Sequence, residues 1–171
     1  MKSSAKNIVL FALLSALLLI TQVALAPLPN IELVSLLVIL YTVVLQKKVL
    51  YIIYAFALLE GLIYGFGMWW FCYLYVWTIL WGITMLFRKE QSALFFAFIS
   101  GFFGIFFGTL CSVPYFLTGG IEMGFSWIIS GLPFDIVHGI GNFIAALLLF
   151  RPLKNILSKA YRTYHSKSYK N

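Results

Sequence analysis

Uninterrupted apolar segments, free of any charged residue, constrain this chain more than any other feature of its sequence. Residues 8–26 and 95–113 are two such segments. Each is close to the roughly 20 residues that an α-helix needs to cross the hydrocarbon core of a bilayer. The strands of a membrane β-barrel would instead alternate apolar and polar side chains. The sequence therefore predicts an all-α integral membrane protein.

The composition excludes the classes of protein whose surface faces water. Hydrophobic residues make up 63% of the 171 residues, and charged residues make up only 10%. Soluble domains contain about 25% charged residues, so this chain has too little polar surface for a soluble enzyme or a disordered chain. The net charge of +7 does not indicate a nucleic-acid partner, because the positions of the basic residues explain it.

Prolines, glycines and short charged stretches divide the chain into a compact bundle of six predicted membrane-spanning helices. The predicted helices are residues 8–26, 31–45, 49–66, 69–87, 92–117 and 133–150. Pro114 is expected to bend the fifth helix, and residues 118–132 are expected to form a longer connection. The six-helix substrate-binding domain is predicted to cover residues 1–153, and residues 154–171 to form a basic cytoplasmic tail.

The basic residues give this arrangement an orientation. With six helices, all twelve lysines and arginines fall on the same side of the membrane, at the two termini and in the second and fourth loops. Since positive charge concentrates in cytoplasmic loops, both termini are predicted to be cytoplasmic. The twelve residues are Lys2, Lys6, Lys47, Lys48, Arg88, Lys89, Arg151, Lys154, Lys159, Arg162, Lys167 and Lys170.

Sequence motifs for catalysis or metal binding are absent. No Gly-Lys dipeptide occurs, so the chain has no phosphate-binding loop of an ATPase. The two cysteines, Cys72 and Cys111, lie inside apolar segments and form no metal-binding pair. The two histidines, His138 and His165, are too few to build a metal centre. The sequence therefore predicts no enzyme, no cofactor and no metal site.

Ionisable residues inside apolar segments carry the functional signal, because such groups usually face a bundle interior or a wet cavity. Glu60 and Asp135 are the two such acids. Asp135, His138 and Asn142 follow the i, i+3, i+7 spacing that places them on one helix face. They are candidate ligand-binding residues. An equally open interpretation is structural, with Asp135 stabilising the helix start and the polar face forming internal hydrogen bonds.

Aromatic residues supply the second part of the candidate site. Trp70, Tyr73 and Trp77 share one face of the fourth helix, although an interfacial aromatic belt would give the same pattern. Rings opposite acids and an imidazole suit a flat heterocycle bound from the outer side. No lysine or arginine occurs in residues 50–87 or 90–150, so a polyanionic ligand is disfavoured. The pattern predicts a neutral or cationic aromatic ligand.

Small residues on the first helix predict a contact surface. Ala12 and Ala16 are spaced by four residues on a helix built otherwise from large aliphatic side chains. Small residues at this spacing allow close approach of another helix. The pair is therefore a candidate docking site for another membrane protein.

The sequence resembles a known family, the substrate-binding S-components of energy-coupling factor (ECF) vitamin transporters. The resemblance extends over residues 8–153. It is carried by Ala12 and Ala16 on the first helix, by residues 131–143, GLPFDIVHGIGNF, at the start of the last helix, and by residues 29–33, PNIEL, before the second.

The resemblance implies a division of labour between several chains. Members of this family bind a micronutrient on the outer face of a bacterial plasma membrane. They associate with a membrane scaffold, the T-component, and with two cytoplasmic ATPase subunits that drive delivery inward. By this resemblance, Ala12 and Ala16 would contact the scaffold. The lack of a nucleotide motif in this chain agrees with a motor carried by other subunits.

Two other functions remain open at the level of sequence. One is a stand-alone secondary transporter in which Glu60 and Asp135 relay protons. The other is a small membrane scaffold that transports nothing, in which both acids are structural.

Overall fold

A computed structural model describes residues 2–166 of the protein, with the side chains of residues 5–164. All regular structure in this part of the chain is helical. A short 3-10 turn, Gln46–Lys48, joins the second and third helices. The helices are α1 (Lys2–Leu25), α2 (Val34–Leu45), α3 (Val49–Tyr64), α4 (Met68–Tyr73), α5 (Val76–Leu86), α6 (Ala93–Ile105), α7 (Phe107–Cys111) and α8 (Val113–Ser166).

Several of these helices have the length and apolarity of membrane spans. The segments that qualify are Ala5–Leu25, Val34–Tyr64, Met68–Leu86 and Val113–Tyr164, and a shorter apolar helix covers Ala93–Ile105. The second of them contains both α2 and α3, which Gln46 separates through its positive φ of 57°. The predicted all-α class with long apolar helices is confirmed. The count of six spans and the cytoplasmic termini stay predictions.

The core of the molecule is built around α2. Ten of its twelve residues are buried, and it packs against α1, α3, α5, α6 and α8. By contrast, α1 exposes large aliphatic side chains such as Ile8, Leu13 and Ile20. Exposed aliphatic side chains on a long helix suit contact with lipid, whereas α2 has protein on all sides. The short second helix therefore lies inside the bundle.

Glycines allow α6 and α8 to pack with their backbones in contact. A Cβ atom on Gly104 would lie only 2.8 Å from Cα of Gly139, a distance that no substituted residue could keep. Further along the same interface the rings of Phe96 and Phe150 stack with their centroids 4.7 Å apart. Close contact between small residues is the usual way in which membrane helices associate. It fixes the position of α8 relative to the rest of the bundle.

The structure corrects the prediction of a longer connection at residues 118–132. These residues are helical and belong to α8, which is interrupted only at Gly120, where φ is 73° and ψ is −167°. The two arms on either side of Gly120 pack together, and the rings of Tyr115 and Trp127 stack 3.9 Å apart. Large apolar residues of the second arm, such as Phe125 and Trp127, pack on the first arm and make a helix favourable there. Pro133 consequently lies inside a helix rather than at its start.

Two other predicted helices contain breaks. The predicted helix 69–87 is divided into α4 and α5, and the predicted helix 92–117 is divided at Phe106 and Ser112. Pro114 does not bend a continuous fifth helix, because it occupies the first turn of α8, where its missing N–H costs nothing.

Residues from distant parts of the chain meet at one end of the bundle. Nζ of Lys48 donates a hydrogen bond to the hydroxyl of Tyr161 at 3.2 Å, and the hydroxyl of Tyr164 donates to the carbonyl oxygen of Lys6. Lys154 donates to the side chain of Gln91. The start of α1, the turn before α3, the connection before α6 and the end of α8 are therefore neighbours. We call this end the basic end.

The predicted boundary at residue 153 lies within a continuous helix. α8 runs past it to Ser166, and Tyr161 and Tyr164 contact the turn before α3 and the start of α1. Residues 154–166 are thus an extension of the last helix of the bundle. Lys167 and Lys170 of the predicted tail lie outside the described residues.

Candidate functional site

A cavity of about 420 Å³ lies far from the basic end of the bundle. On α8, His138 at the cavity and Tyr161 at the basic end are 23 residues apart, or about 35 Å along a helix. The volume falls within the usual range of small-molecule sites. The cavity is lined by Gln22, Leu25, Ala26, Leu28, Pro29, Asn30, Ile31, Glu32, Glu60, Tyr64, Trp69, Tyr73, Trp77, Phe107 and His138.

Glu60 is the acid that the last turns of α3 bring to this cavity. Its side chain is only 2% exposed, and its Oε1 atom has no hydrogen-bond partner among the described residues. Burial of a polar group without a hydrogen bond is unfavourable by several kcal/mol on the order-of-magnitude scale of transfer data. A carboxylate oxygen at a cavity wall is therefore available to a ligand. The prediction that Glu60 faces a cavity agrees with this position.

Three rings from α4 and α5 form one wall. Trp69 and Tyr73 are perpendicular with centroids 5.2 Å apart, and Tyr73 and Trp77 are perpendicular with centroids 5.5 Å apart. Phe107 of α7 adds a ring 5.7 Å from Trp77. Such edge-to-face contacts fix the rings relative to one another. The indole N–H of Trp77 is buried and has no partner among the described residues.

Trp70 lies elsewhere, contrary to the predicted aromatic face. Its indole N–H donates to the carbonyl oxygen of Ala57 at 2.8 Å, and its ring packs edge-on against Phe66 at 5.0 Å. The cavity wall uses the neighbouring Trp69 instead. Both Trp69 and Trp70 are compatible with helical spacing to Tyr73 and Trp77, so periodicity alone could not distinguish them.

His138 connects α8 to the segment between α1 and α2. Its Nε2 atom lies 3.1 Å from Oε1 of Glu32. The other carboxylate oxygen of Glu32 accepts a hydrogen bond from the backbone N–H of Ser35 at 2.8 Å. Burial alone would raise the pKa of Glu32, but His138 and Ser35 together hold this pKa below its ordinary value. Glu32 is therefore a charged group with protein partners.

Asp135 and Asn142 flank His138 on α8 but do not line the cavity. Oδ1 of Asp135 accepts a hydrogen bond from the backbone N–H of Gly108 at 3.0 Å. Nδ2 of Asn142 donates to Oγ of Ser35 at 3.1 Å. Sharing a helix face does not place residues at the same depth, because the helix rises about 1.5 Å per residue. Of the three polar residues predicted on this face, only His138 borders the cavity.

Eleven of the fifteen lining residues were not predicted from the sequence, and the polar and aromatic ones among them include Gln22, Glu32, Trp69 and Phe107. The sequence could have indicated Gln22, since it is a long polar side chain inside an apolar helix. Its Nε2 atom donates to the hydroxyl of Tyr73 at 3.4 Å, while its Oε1 atom has no partner among the described residues. Phe107 gave no signal in a chain with 17 phenylalanines.

The composition of the cavity wall suits a small organic ligand. Its wall combines two carboxylates, one imidazole and several aromatic rings, and it contains no lysine or arginine. Among residues 5–164, no group of three histidine, cysteine or acidic side chains could hold a metal ion. Aromatic faces and a few fixed polar atoms are the usual composition of a site for a small organic ligand.

The predicted docking residues lie on the outer surface of α1. Ala12 is exposed and Ala16 is half-buried. On the neighbouring part of α1, Oγ of Ser15 donates to the carbonyl oxygen of Ile52 at 3.1 Å, and Leu18 is fully buried. Ala12 is therefore accessible to a partner, whereas Ala16 lies at the edge of the contact between α1 and the bundle. That another protein docks there stays a prediction.

Comparison with known proteins gives no relative of this chain. No protein-family model matches it, no curated protein matches it, and no solved structure matches it.

Proposed function

We propose that this protein is the substrate-specificity subunit, or S-component, of a bacterial ECF-type importer in the plasma membrane. It would bind a small neutral or cationic aromatic micronutrient on the outer face. Delivery inward would depend on a membrane scaffold and two ATPase subunits. The protein would perform no catalysis of its own.

The observation that carries this proposal is the cavity at one end of an apolar helical bundle. Glu60, Trp77 and Gln22 line this cavity, and each carries a buried polar atom without a partner among the described residues. Unpartnered polar atoms beside aromatic faces are what a binding site for a small heterocycle requires. The family named in the proposal comes from the resemblance of residues 131–143 and 29–33 to S-components.

The proposed orientation can be tested by labelling. A cysteine replacing Glu122, which is exposed on α8, should react with a membrane-impermeant maleimide in intact cells. A cysteine replacing Lys47, exposed at the basic end, should react only after the cells are opened. The native cysteines are both buried and serve as the background. The reverse pattern would contradict a cavity that faces outward.

The decisive experiment is uptake with and without an ATPase module. The purified protein is first examined by native mass spectrometry for a co-purified small molecule. Uptake of that molecule is then measured in cells that express this protein alone or together with a scaffold and two ATPases. The proposal expects uptake only with the complete set, and loss of uptake when the ATPases carry inactive nucleotide sites.

A matched pair of variants tests the docking surface. Replacing Ala12 and Ala16 by tryptophan should abolish co-purification with the scaffold and uptake, while ligand affinity changes less than a few-fold. The control replaces Leu13 and Leu17 by tryptophan. These two residues are exposed and have the same spacing on α1, and their replacement should preserve association with the scaffold. Loss of ligand binding in the alanine variant would mean that the alanines serve internal packing.

The alternative of a proton-coupled secondary transporter finds less support. A relay between Glu60 and Asp135 would require both acids at one water-filled path. Asp135 instead hydrogen bonds to Gly108 and does not line the cavity. Uptake by the lone protein that collapses with the proton gradient would favour this alternative over the importer.

A further inference from the structure

We infer that the ligand of the cavity is a small organic cation whose positive charge is neutralised by Glu60 and contacts the rings of Tyr73 and Trp77. This inference rests on the proposed function only in assuming that the cavity binds a ligand. It narrows the ligand class, because it excludes the uncharged heterocycles that the proposed function alone would accept.

Glu60 is the acid in the cavity that lacks a partner. The other acid, Glu32, is satisfied by His138 and by the backbone of Ser35. Glu60 has an unpartnered Oε1 atom and is nearly inaccessible. The imidazole of His138 is engaged by Glu32, and no lysine or arginine lines the cavity.

A buried carboxylate of this kind favours a positively charged partner. An ionised group removed from water is tolerated when it is paired and hydrogen bonded. The described residues supply no countercharge at Glu60, so ionisation of this acid is favoured when a cationic ligand occupies the cavity. A dianion would add further negative charge beside Glu60 and Glu32, with only the already engaged His138 to offset it.

The aromatic wall also favours a positively charged ligand. The faces of aromatic rings attract cations through their quadrupole, most strongly in the case of tryptophan. Tyr73, Trp77 and Phe107 are held by contacts with one another at 5.5 and 5.7 Å, and Trp69 adds a fourth ring. A cation beside Glu60 would therefore meet π faces and a carboxylate together.

Pairs of probes that differ only in charge test this inference. One pair is the methylnicotinamide cation, methylated on the ring nitrogen, and its uncharged carbon isostere meta-methylbenzamide. The other pair is choline and its uncharged isostere dimethylbutanol. Binding to the purified full-length protein in detergent is measured by calorimetry and by thermal stabilisation. In at least one pair we expect the cation to bind about tenfold more tightly than its isostere, as pairing with a desolvated ring and carboxylate implies.

Variants test whether Glu60 causes the preference for the cation over its uncharged isostere. Glu60→Gln keeps the shape of the side chain and removes its charge, and it should reduce the preference for the cation to about threefold or less, since the charge-assisted contact is lost. Glu122→Gln removes an exposed acid that does not line the cavity and should leave the preference unchanged. Trp69→Leu should weaken binding of the cation more than binding of the neutral isostere, whereas Trp69→Phe should retain most of the preference for the cation.

Three results would overturn the inference. They are equal binding of both members in each pair, no binding of either cation at millimolar concentration, and an unchanged cation preference in Glu60→Gln. A neutral co-purified ligand with ATPase-dependent uptake would likewise overturn it while leaving the importer proposal standing. Conversely, a Glu60-dependent cation preference without association with a scaffold would support the inference and contradict the importer proposal.

Discussion

The polar groups of the cavity and those along the neighbouring face of α8 differ in how they are satisfied. Along α8, Asp135 and Asn142 each make a hydrogen bond to another helix, α7 or α2, although Oδ2 of Asp135 has no partner among the described residues. At the cavity, Glu60 and Trp77 each keep a buried polar atom without a partner in the described part of the chain, and no hydrogen bond links either side chain to another helix there. The first group therefore links helices, whereas the second group places unpartnered polar atoms in residues that line a cavity. The membrane-embedded polar residues of one bundle thus serve two purposes.

The largest expected effect comes from separating His138 from Glu32. His138→Ala would leave the carboxylate of Glu32 buried without its imidazole partner, and loss of a hydrogen bond to a charged group costs about 1.5–3 kcal/mol. Because this pair also borders the cavity, ligand affinity should fall as well. Unfolding in detergent, followed by tryptophan fluorescence, measures the first effect. The double variant Glu32→Gln, His138→Ala should recover part of the lost stability, and equal stability of single and double variants would contradict the pairing.

Next in size is the pH dependence of the same contact. The pKa of Glu32 is held below its ordinary value in the folded protein, so the carboxylate contributes stability above the unfolded pKa of about 4.3. That contribution is lost as pH falls through the lower, folded pKa. Unfolding temperatures measured from pH 7 down to pH 3 should show a decline that Glu32→Gln reduces. An identical decline in the variant would assign it to other acids.

A smaller loss is expected from Asn142→Leu. This change removes the hydrogen bond to Ser35 and should lower the unfolding free energy by about 1 kcal/mol, in line with polar contacts between membrane helices. Ligand affinity should change little, because Asn142 does not line the cavity. Asp135→Asn should behave in the same way. A tenfold loss of affinity with unchanged stability in either variant would place these residues in the binding site after all.

The smallest effect on stability is expected from Glu60→Gln. Neutralising a buried acid whose Oε1 has no partner among the described residues should leave the free energy of unfolding unchanged or raise it, since any cost of desolvating a charge disappears. Ligand affinity should fall about tenfold or more with loss of a hydrogen-bonded charge. Clear destabilisation without any change in affinity would show that Glu60 belongs with the structural group.

Sequence patterns predicted the fold class because length and apolarity determine whether a helix can cross a membrane. The same patterns predicted Glu60, Tyr73, Trp77 and His138 near one cavity, since an ionisable or aromatic side chain in an apolar helix is conspicuous. They could not choose between Trp69 and Trp70, because both satisfy helical spacing and only the contact of Trp70 with Ala57 excludes it from the wall.

Other differences arise from tertiary contacts that no local pattern encodes. Residues 118–132 looked like a connection because they contain several glycines and polar residues, yet packing of Tyr115 on Trp127 makes a helical hairpin favourable there. Glu32 lies at the start of the predicted second helix, and no local pattern there indicates a buried contact. Its value to the fold depends on His138, which lies 106 residues further along the chain.

The continuity of α8 has a mechanical consequence. The helix passes from His138 to Tyr161 without interruption, so it acts as a rod about 35 Å long. A tilt of about 10° at the cavity would sweep the far tip through about 6 Å, by the geometry of a rod of that length. Pro152 lacks a backbone N–H on this path, so it is the position where the helix bends most easily. A tilt at the cavity end would reach the opposite surface of the bundle as a lateral shift of a tip that carries lysine and arginine.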